Sequence, residues 1–258
     1  MKFNLNNPAF LQAGGNKPMI TRMVLNYDSG GQVQLSANGL VIVEYMQDGE
    51  KVRQTYSALS DTYVPIPIGV EATVYGSVTV INRDANTNVF SSLDVSKNTA
   101  LTWLCCNGCT GFSSLDVSKN TALTDLDCGD CSGLTSLDVS KNTALTDLNC
   151  NACSGLTSLD VSKNTALTWL NCSQCSGLML LDIQSTAQLE GGRLFLNTDT
   201  NITTLKLAGT SEWAYEQVEI WLNDGAPNDG KLYVDENTPQ AVITAAESKD
   251  WIVEYVDA

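Results

Sequence analysis

Residues 137–158 read LDVSKNTALTDLNCNACSGLTS, and near-copies of the same 22 letters begin at Leu93, Leu115 and Leu159. A fixed period of about 20 to 50 residues marks stacked units, each unable to bury its apolar face alone. Within one unit the apolar letters fall at Leu145, Leu148, Cys150, Cys153, Leu156, Leu159 and Val161. They form two strand-like pieces, LTDLNC and LTSLDV, in which inward residues alternate with polar ones, joined by NAC-SG and SKNT turns. Each copy is expected to be a flattened coil. Stacking then places equivalent residues about 4.8 Å apart in two parallel ladders.

The ends of such a stack need cover, because an open ladder exposes unpaired N–H and C=O groups. Residues 19–81 contain the strand candidates MITRMVLNY, GQVQLS, LVIVEYM, KVRQTYS and EATVYGSVTVI, with a tight turn at QDGE. They predict a small antiparallel β domain whose last strand feeds the stack. Near the other end, SEWAYEQVEIWLND places Ala214, Tyr215, Val218, Trp221 and Leu222 at helical spacing. Thr238 followed by Pro239 reads as an N-cap with Pro at the first helical position, so TPQAVITAAESKD is expected to be a second helix. KLYVDE and WIVEYV read as strands. The expected organisation is an N-terminal β domain over 1–88, a solenoid over 89–207 and an α/β cap over 208–258.

Composition narrows the function. With 258 residues and 43% hydrophobic content the chain can build a proper core. The formal charge of −15 argues against nucleic acid, which needs a basic stripe to displace counterions. The acidity lies mainly in residues 181–258, where 14 acidic residues meet 4 basic ones, and reads as a solvated face that aids solubility. The absence of histidine removes Ser-His-Asp and Cys-His catalysis and imidazole metal ligands together. No apolar run reaches the ~20 residues of a membrane span, so no membrane insertion is expected. MKFNLNNPAF lacks the apolar core of a secretory signal.

Cys106, Cys109, Cys128, Cys131, Cys150, Cys153, Cys172 and Cys175 form four CxxC pairs at a spacing that also suits zinc. Because every pair recurs at inward columns, the thiols read as small core hydrophobes, and no metal or cofactor is expected. Cys105 stands apart, in the outward column of Asp127, Asn149 and Asn171, and is expected to be the exposed, reactive thiol.

Comparison among the copies separates two faces. On the LDVSK side Asp94, Asp116, Asp138 and Asp160 form one column and Lys97, Lys119, Lys141 and Lys163 another. Hydrogen bonds from the following turn can offset the repulsion of stacked carboxylates, which reads as a structural ladder. On the other strand the outward letters vary: Trp103, Asp125, Asp147 and Trp169, then Cys105, Asp127, Asn149 and Asn171, with Asn107, Gly129, Asn151 and Ser173 beyond. Variation on an otherwise copied scaffold marks a surface released from folding duties. The candidate ligand-binding residues are Trp103, Cys105, Asn107, Asp125, Asp127, Asp147, Asn149, Trp169 and Asn171, with exposed aromatic residues as anchors. Asp125 and Asp147 approach the spacing of a retaining glycosidase pair, about 5 Å. A sheet face is not a pocket, however, and no catalytic residue is expected.

The pattern LxxLxCxxC followed by LxxLDVSKN, from Leu93 to about Leu207, resembles the leucine-rich repeat family, in particular short bacterial repeats of cell-surface proteins. The resemblance implies a mainly β, right-handed solenoid used to bind other molecules, with Cys109, Cys131, Cys153 and Cys175 at the family's usual asparagine-ladder position. The fifth unit, LDIQSTAQLEGGRLFLNTDTNITT, departs from the pattern by running 24 residues without cysteine. The implied role is a non-enzymatic recognition module, monomeric, secreted or on the cell surface, with a protein or glycan ligand. A cytoplasmic location and a purely structural spacer are the alternatives.

Overall fold

The computed structural model describes residues 20–26, 32–37, 39–57, 59–67, 70–83, 89–189, 194–196 and 201–256. The MKFNLNNPAF segment and part of the fifth unit lie outside the described residues. The N-terminal strands are β1 (Ile20–Asn26), β2 (Gln32–Ala37), β3 (Val41–Gln47), β4 (Glu50–Tyr56), β5 (Leu59–Pro65), β6 (Glu71–Tyr75), β7 (Val78–Arg83) and β8 (Val89–Asp94). Asp48 and Gly49, with φ of 53° and 82°, make the two-residue turn between β3 and β4, as the DG pair requires. EATVYGSVTVI is two strands, β6 and β7, rather than one, and β5 lies outside the strand candidates of the sequence. Its alternation is broken by Ser60 and Asp61, which are exposed in succession.

The coil strands are short because each spans only the straight part between two corners. One side of the stack carries β9 (Trp103–Cys105), β11 (Asp125–Asp127), β13 (Asp147–Asn149), β15 (Trp169–Asn171) and β17 (Leu194–Phe195). The other carries β10 (Ser114–Leu115), β12 (Ser136–Leu137), β14 (Ser158–Asp160), β16 (Leu180–Asp182) and β18 (Thr204–Lys206). The first set is parallel and in register, Trp103 beside Asp125 beside Asp147 beside Trp169. This sheet runs on into the N-terminal region in the order β17-β15-β13-β11-β9-β7-β2-β5. β7 pairs with β9 in parallel, with Ile81 opposite Leu104, while β2 pairs with β7 antiparallel. The first coil is thus docked on an existing strand, and its backbone groups are paired rather than open.

At the other end α1 (Glu212–Asp224), β19 (Lys231–Val234), α2 (Gln240–Glu247) and β20 (Ile252–Tyr255) extend the second ladder as β14-β16-β18-β19-β20. Helix α1 buries Ala214, Tyr215, Val218, Trp221 and Leu222, the five residues picked out by spacing, and Ser211 caps it by accepting from the Ala214 N–H. The expected cap of α2 is corrected. Pro239 holds the N-cap position and Thr238 makes no capping bond to the helix. Its hydroxyl instead joins buried Asp235, whose carboxylate accepts from the Gly209 N–H at 2.7 Å, the Asn237 N–H at 3.0 Å and the Thr238 hydroxyl at 3.2 Å. Burial works against that carboxylate, but the hydrogen bonds outweigh it and hold its pKa below the ordinary range.

Inside the stack, Leu145, Leu148, Cys150, Cys153, Leu156, Leu159 and Val161 are fully buried, as the alternation required. The thiols do more than fill space. Cys131 donates to the Cys106 carbonyl at 3.3 Å, Cys153 to Cys128 at 3.1 Å and Cys175 to Cys150 at 3.0 Å, so in the second, third and fourth pairs the later cysteine stitches its coil to the previous one. Hydrogen bonding with the stitching thiols, in which the neutral S–H is the donor, together with burial pushes the Cys106, Cys128 and Cys150 thiols well up and keeps them protonated. Each CxxC turns the corner through a left-handed residue, Gly108, Asp130, Ala152 or Gln174.

A second ladder occupies the opposite corner. Asn98, Asn120, Asn142 and Asn164, read from sequence only as turn residues, are fully buried. The Asn142 amide donates to the carbonyls of Val117 at 3.0 Å and Asn120 at 2.9 Å, and Asn120 and Asn164 repeat the pattern one coil below and above. Glycine serves the remaining corner. A Cβ at Gly155 would lie 2.7 Å from the Ser132 carbonyl oxygen, and at Gly177 2.3 Å from that of Ser154, so the SG pairs at Gly133, Gly155 and Gly177 permit coil contact, whereas Gly111 of the first copy has open space around it.

Candidate ligand-binding face

Strands β9, β11, β13 and β15 share one local rule. The middle leucine, Leu104, Leu126, Leu148 or Leu170, points into the stack, and the residue on either side points out. The register therefore sets the outward residues in two rows. In the first, Trp103, Asp125, Asp147 and Trp169 follow one another along the ladder. The second runs Cys105, Asp127, Asn149 and Asn171.

The second row is largely spent on the coil itself. Asp127 accepts from the Gly129 N–H at 3.1 Å and from the Asn149 amide at 3.1 Å. Asn149 accepts from the Asn151 N–H at 3.2 Å, and Asn171 from the Ser173 N–H at 3.1 Å and hydroxyl at 2.7 Å. These are Asx-type turns that pin the corner following each strand. On the opposite face Asp94, Asp116, Asp138 and Asp160 do the same, each accepting from the N–H two residues on. Hydrogen bonds from Ser118 and Ser140 lower the Asp116 and Asp138 pKa values accordingly.

Cys105 is corrected here. It was expected to be exposed and reactive, but it is only 9% accessible, and its thiol lies 3.7 Å from an Asp127 carboxylate oxygen as a donor. An outward column does not guarantee exposure when β7 and β11 flank the strand on both sides and a bonded Asp127 leans over it.

The first row behaves differently. Trp103 is 40% exposed, and Asp125, Asp147 and Trp169 are half-buried. Asp125 accepts from the Thr124 hydroxyl at 2.6 Å, while the Asp147 side chain has no hydrogen-bond partner among the described residues. Together with Leu126, Asp127 and Asn149 they line one shallow concavity of about 220 Å³. Six of the nine candidate residues meet there, and Cys105, Asn107 and Asn171 lie outside it. No basic side chain lines it.

One exposed aromatic residue at this end was missed. Phe195, 42% exposed, sits one coil beyond Trp169 with ring centroids 5.7 Å apart at 55°. The signal was present: aligning Leu194 with Leu170 puts Phe195 in the Asn171 column, but the two-residue insertion of the fifth unit obscures that alignment.

No protein-family model matches this sequence, and no match was found among curated proteins. A solved structure described as the functional domain of InlJ from Listeria monocytogenes, which includes a cysteine ladder, is similar at 17% identity over 66% of this chain, with a TM-score of 0.17. This chain spans 62% of that structure's length. This chain is a strand-rich repeat protein of stacked coils with a long, mostly parallel sheet and few helices, and among the described residues no helix is long and apolar enough to cross a membrane.

Proposed function

We propose that this chain is a leucine-rich repeat recognition module, a right-handed solenoid over 89–207 between an N-terminal β domain (1–88) and a C-terminal α/β cap (208–258). It holds a protein or glycan ligand across the face bearing Trp103, Asp125, Asp147 and Trp169. The observation that carries this reading is the contrast between rows. The copied letters are occupied in burial, ladders and turns, while the letters that vary in the first row converge on one concavity. An exposed and a half-buried indole ring flanking carboxylates offer flat apolar contact with polar orientation, the pattern of interface anchors.

The module acts by binding, without catalysis. The concavity is shallow and open to water, and no acid stands opposite Asp125 and Asp147 to protonate a leaving group. The family resemblance supports a place at a bacterial surface, and we take the module to work there as a monomer. The test is an array of glycans and proteins probed with the labelled chain. A defined set of binders supports the reading, and no binder at all supports a structural spacer instead.

A further inference from the structure

The chemistry of the concavity narrows the ligand. Its polar groups accept hydrogen bonds and have almost none to donate. Asp125, Asp127 and Asp147 are carboxylates, the Asn149 amide already donates to Asp127, and the Asn149 oxygen already accepts from Asn151. The nearby Thr124 hydroxyl is given to Asp125. The indole N–H groups and the second hydrogen of the Asn149 amide are the donors left on the lining, against three carboxylates. A ligand seated there must bring donors and, against unneutralised carboxylates in a chain of net charge −15, positive charge.

The rings refine this further. Trp103 neighbours Asp125 and Trp169 neighbours Asp147 in the ladder, so the row divides into two half-sites, each an aromatic ring beside a carboxylate. At the strand spacing of about 4.8 Å their centres lie roughly 10 Å apart. An arginine guanidinium meets both needs at once, stacking on an indole face while its planar fork of five donors engages the adjacent carboxylate. Side chains two residues apart on an extended strand stand about 7 Å apart and can splay to that distance.

Resting on the reading of this face as the recognition surface, we propose that the concavity between Trp103 and Trp169 receives two arginine side chains from an extended Arg-X-Arg segment of a partner protein. The half-sites act as a pair: each ring shields one guanidinium from water, and Asp125 and Asp147 each bond one.

The test is fluorescence anisotropy with a labelled Gly-Arg-Gly-Arg-Gly peptide and its counterpart in which citrulline, uncharged and nearly isosteric, replaces both arginines. The expected result is saturable binding of the arginine peptide and at least tenfold weaker binding of the citrulline peptide. Asp125→Asn with Asp147→Asn should weaken the arginine peptide at least tenfold. Glu216→Gln with Glu247→Gln, which removes the same charge on the exposed sides of α1 and α2, should change it less than twofold. No binding, equal binding of the citrulline peptide, or equal loss in the two charge-matched variants would each overturn the proposal. Array ligands separate this failure from that of the face itself. A ligand that Trp103→Ala with Trp169→Ala abolishes, yet arginine peptide fails to displace, keeps the face and rejects the guanidinium. Array ligands indifferent to that double variant reject the face.

Discussion

The asparagine column can be tested by comparing two members that differ only in what lies beneath them. Asn142→Ala removes two bonds, to the carbonyls of Val117 and Asn120. Neither carbonyl is orphaned, because Val117 keeps the Asn120 N–H at 2.9 Å and Asn120 keeps the Leu123 N–H at 3.0 Å. The loss is therefore two ordinary net bonds, about 0.5–1.5 kcal/mol each, rather than two desolvated acceptors. Part is returned, since the Asn142 side-chain oxygen is buried without a partner among the described residues. A net loss of about 1–2 kcal/mol is expected. Asn98 occupies the same column on the first coil, and both its side-chain oxygen and its nitrogen are buried without partners among the described residues. Asn98→Ala removes no bond and relieves two unpaired polar atoms, so it should be neutral or stabilise by about 1 kcal/mol. Urea unfolding of both variants beside the parent, compared by midpoint at constant slope, reads the difference. Equal losses at Asn98 and Asn142 would show that filling the corner matters and the bonds between coils do not.

Leu148 is fully buried in the middle coil, so Leu148→Ala should cost about 2–5 kcal/mol in the same assay through the cavity it opens, and a cost under 1 kcal/mol would place Leu148 outside the stack. Ala152 holds the left-handed corner of its coil at a φ of 54°. Glycine there relieves about 1–2 kcal/mol of strain against about 0.4–1 kcal/mol of added unfolded-state entropy, so Ala152→Gly should raise the thermal midpoint. A fall would mean that the turn is not strained. The lowered pKa values of Asp116, Asp138 and Asp235 make stability depend on pH with a known sign. Their stabilisation is fully present above the unfolded carboxylate pKa of about 3.9 and is lost as pH falls through the lower native values. Asp235→Asn should therefore unfold at lower urea at pH 7 and lose less on acidification than the parent; an unchanged acid limb would remove Asp235 from that role.

What the sequence revealed, and what it hid, follows from how local each feature is. Inward positions such as Leu148 and Cys150 are legible because alternation along a strand is a property of neighbouring letters. Helix α1 is legible for the same reason, from the spacing of Ala214, Tyr215, Val218, Trp221 and Leu222. Asn142 was not, because the letters SKNT describe a turn equally well whether its asparagine faces water or the carbonyls of the coil below. Thr238 before Pro239 has the letters of a cap, and the competing partner, Asp235, wins only because Gly209 and Tyr215 converge on it from elsewhere in the fold. On the candidate face, copy-to-copy variation singled out Trp103, Asp125, Asp147 and Trp169, and the register brings them together. It could not separate them from Cys105, Asp127 and Asn171, whose engagement depends on side chains one coil away or on the following turn.

The claim that this face serves recognition rather than folding is tested most directly by Trp103→Ala with Trp169→Ala, measuring affinity for an array-identified ligand and the melting temperature on the same sample. Both side chains point away from the stack, and the contact the fold loses is that of Trp169 with Phe195, so melting should fall only modestly while binding falls at least about tenfold. Unchanged affinity at an unchanged melting temperature would contradict the assignment and place the ligand elsewhere on the molecule.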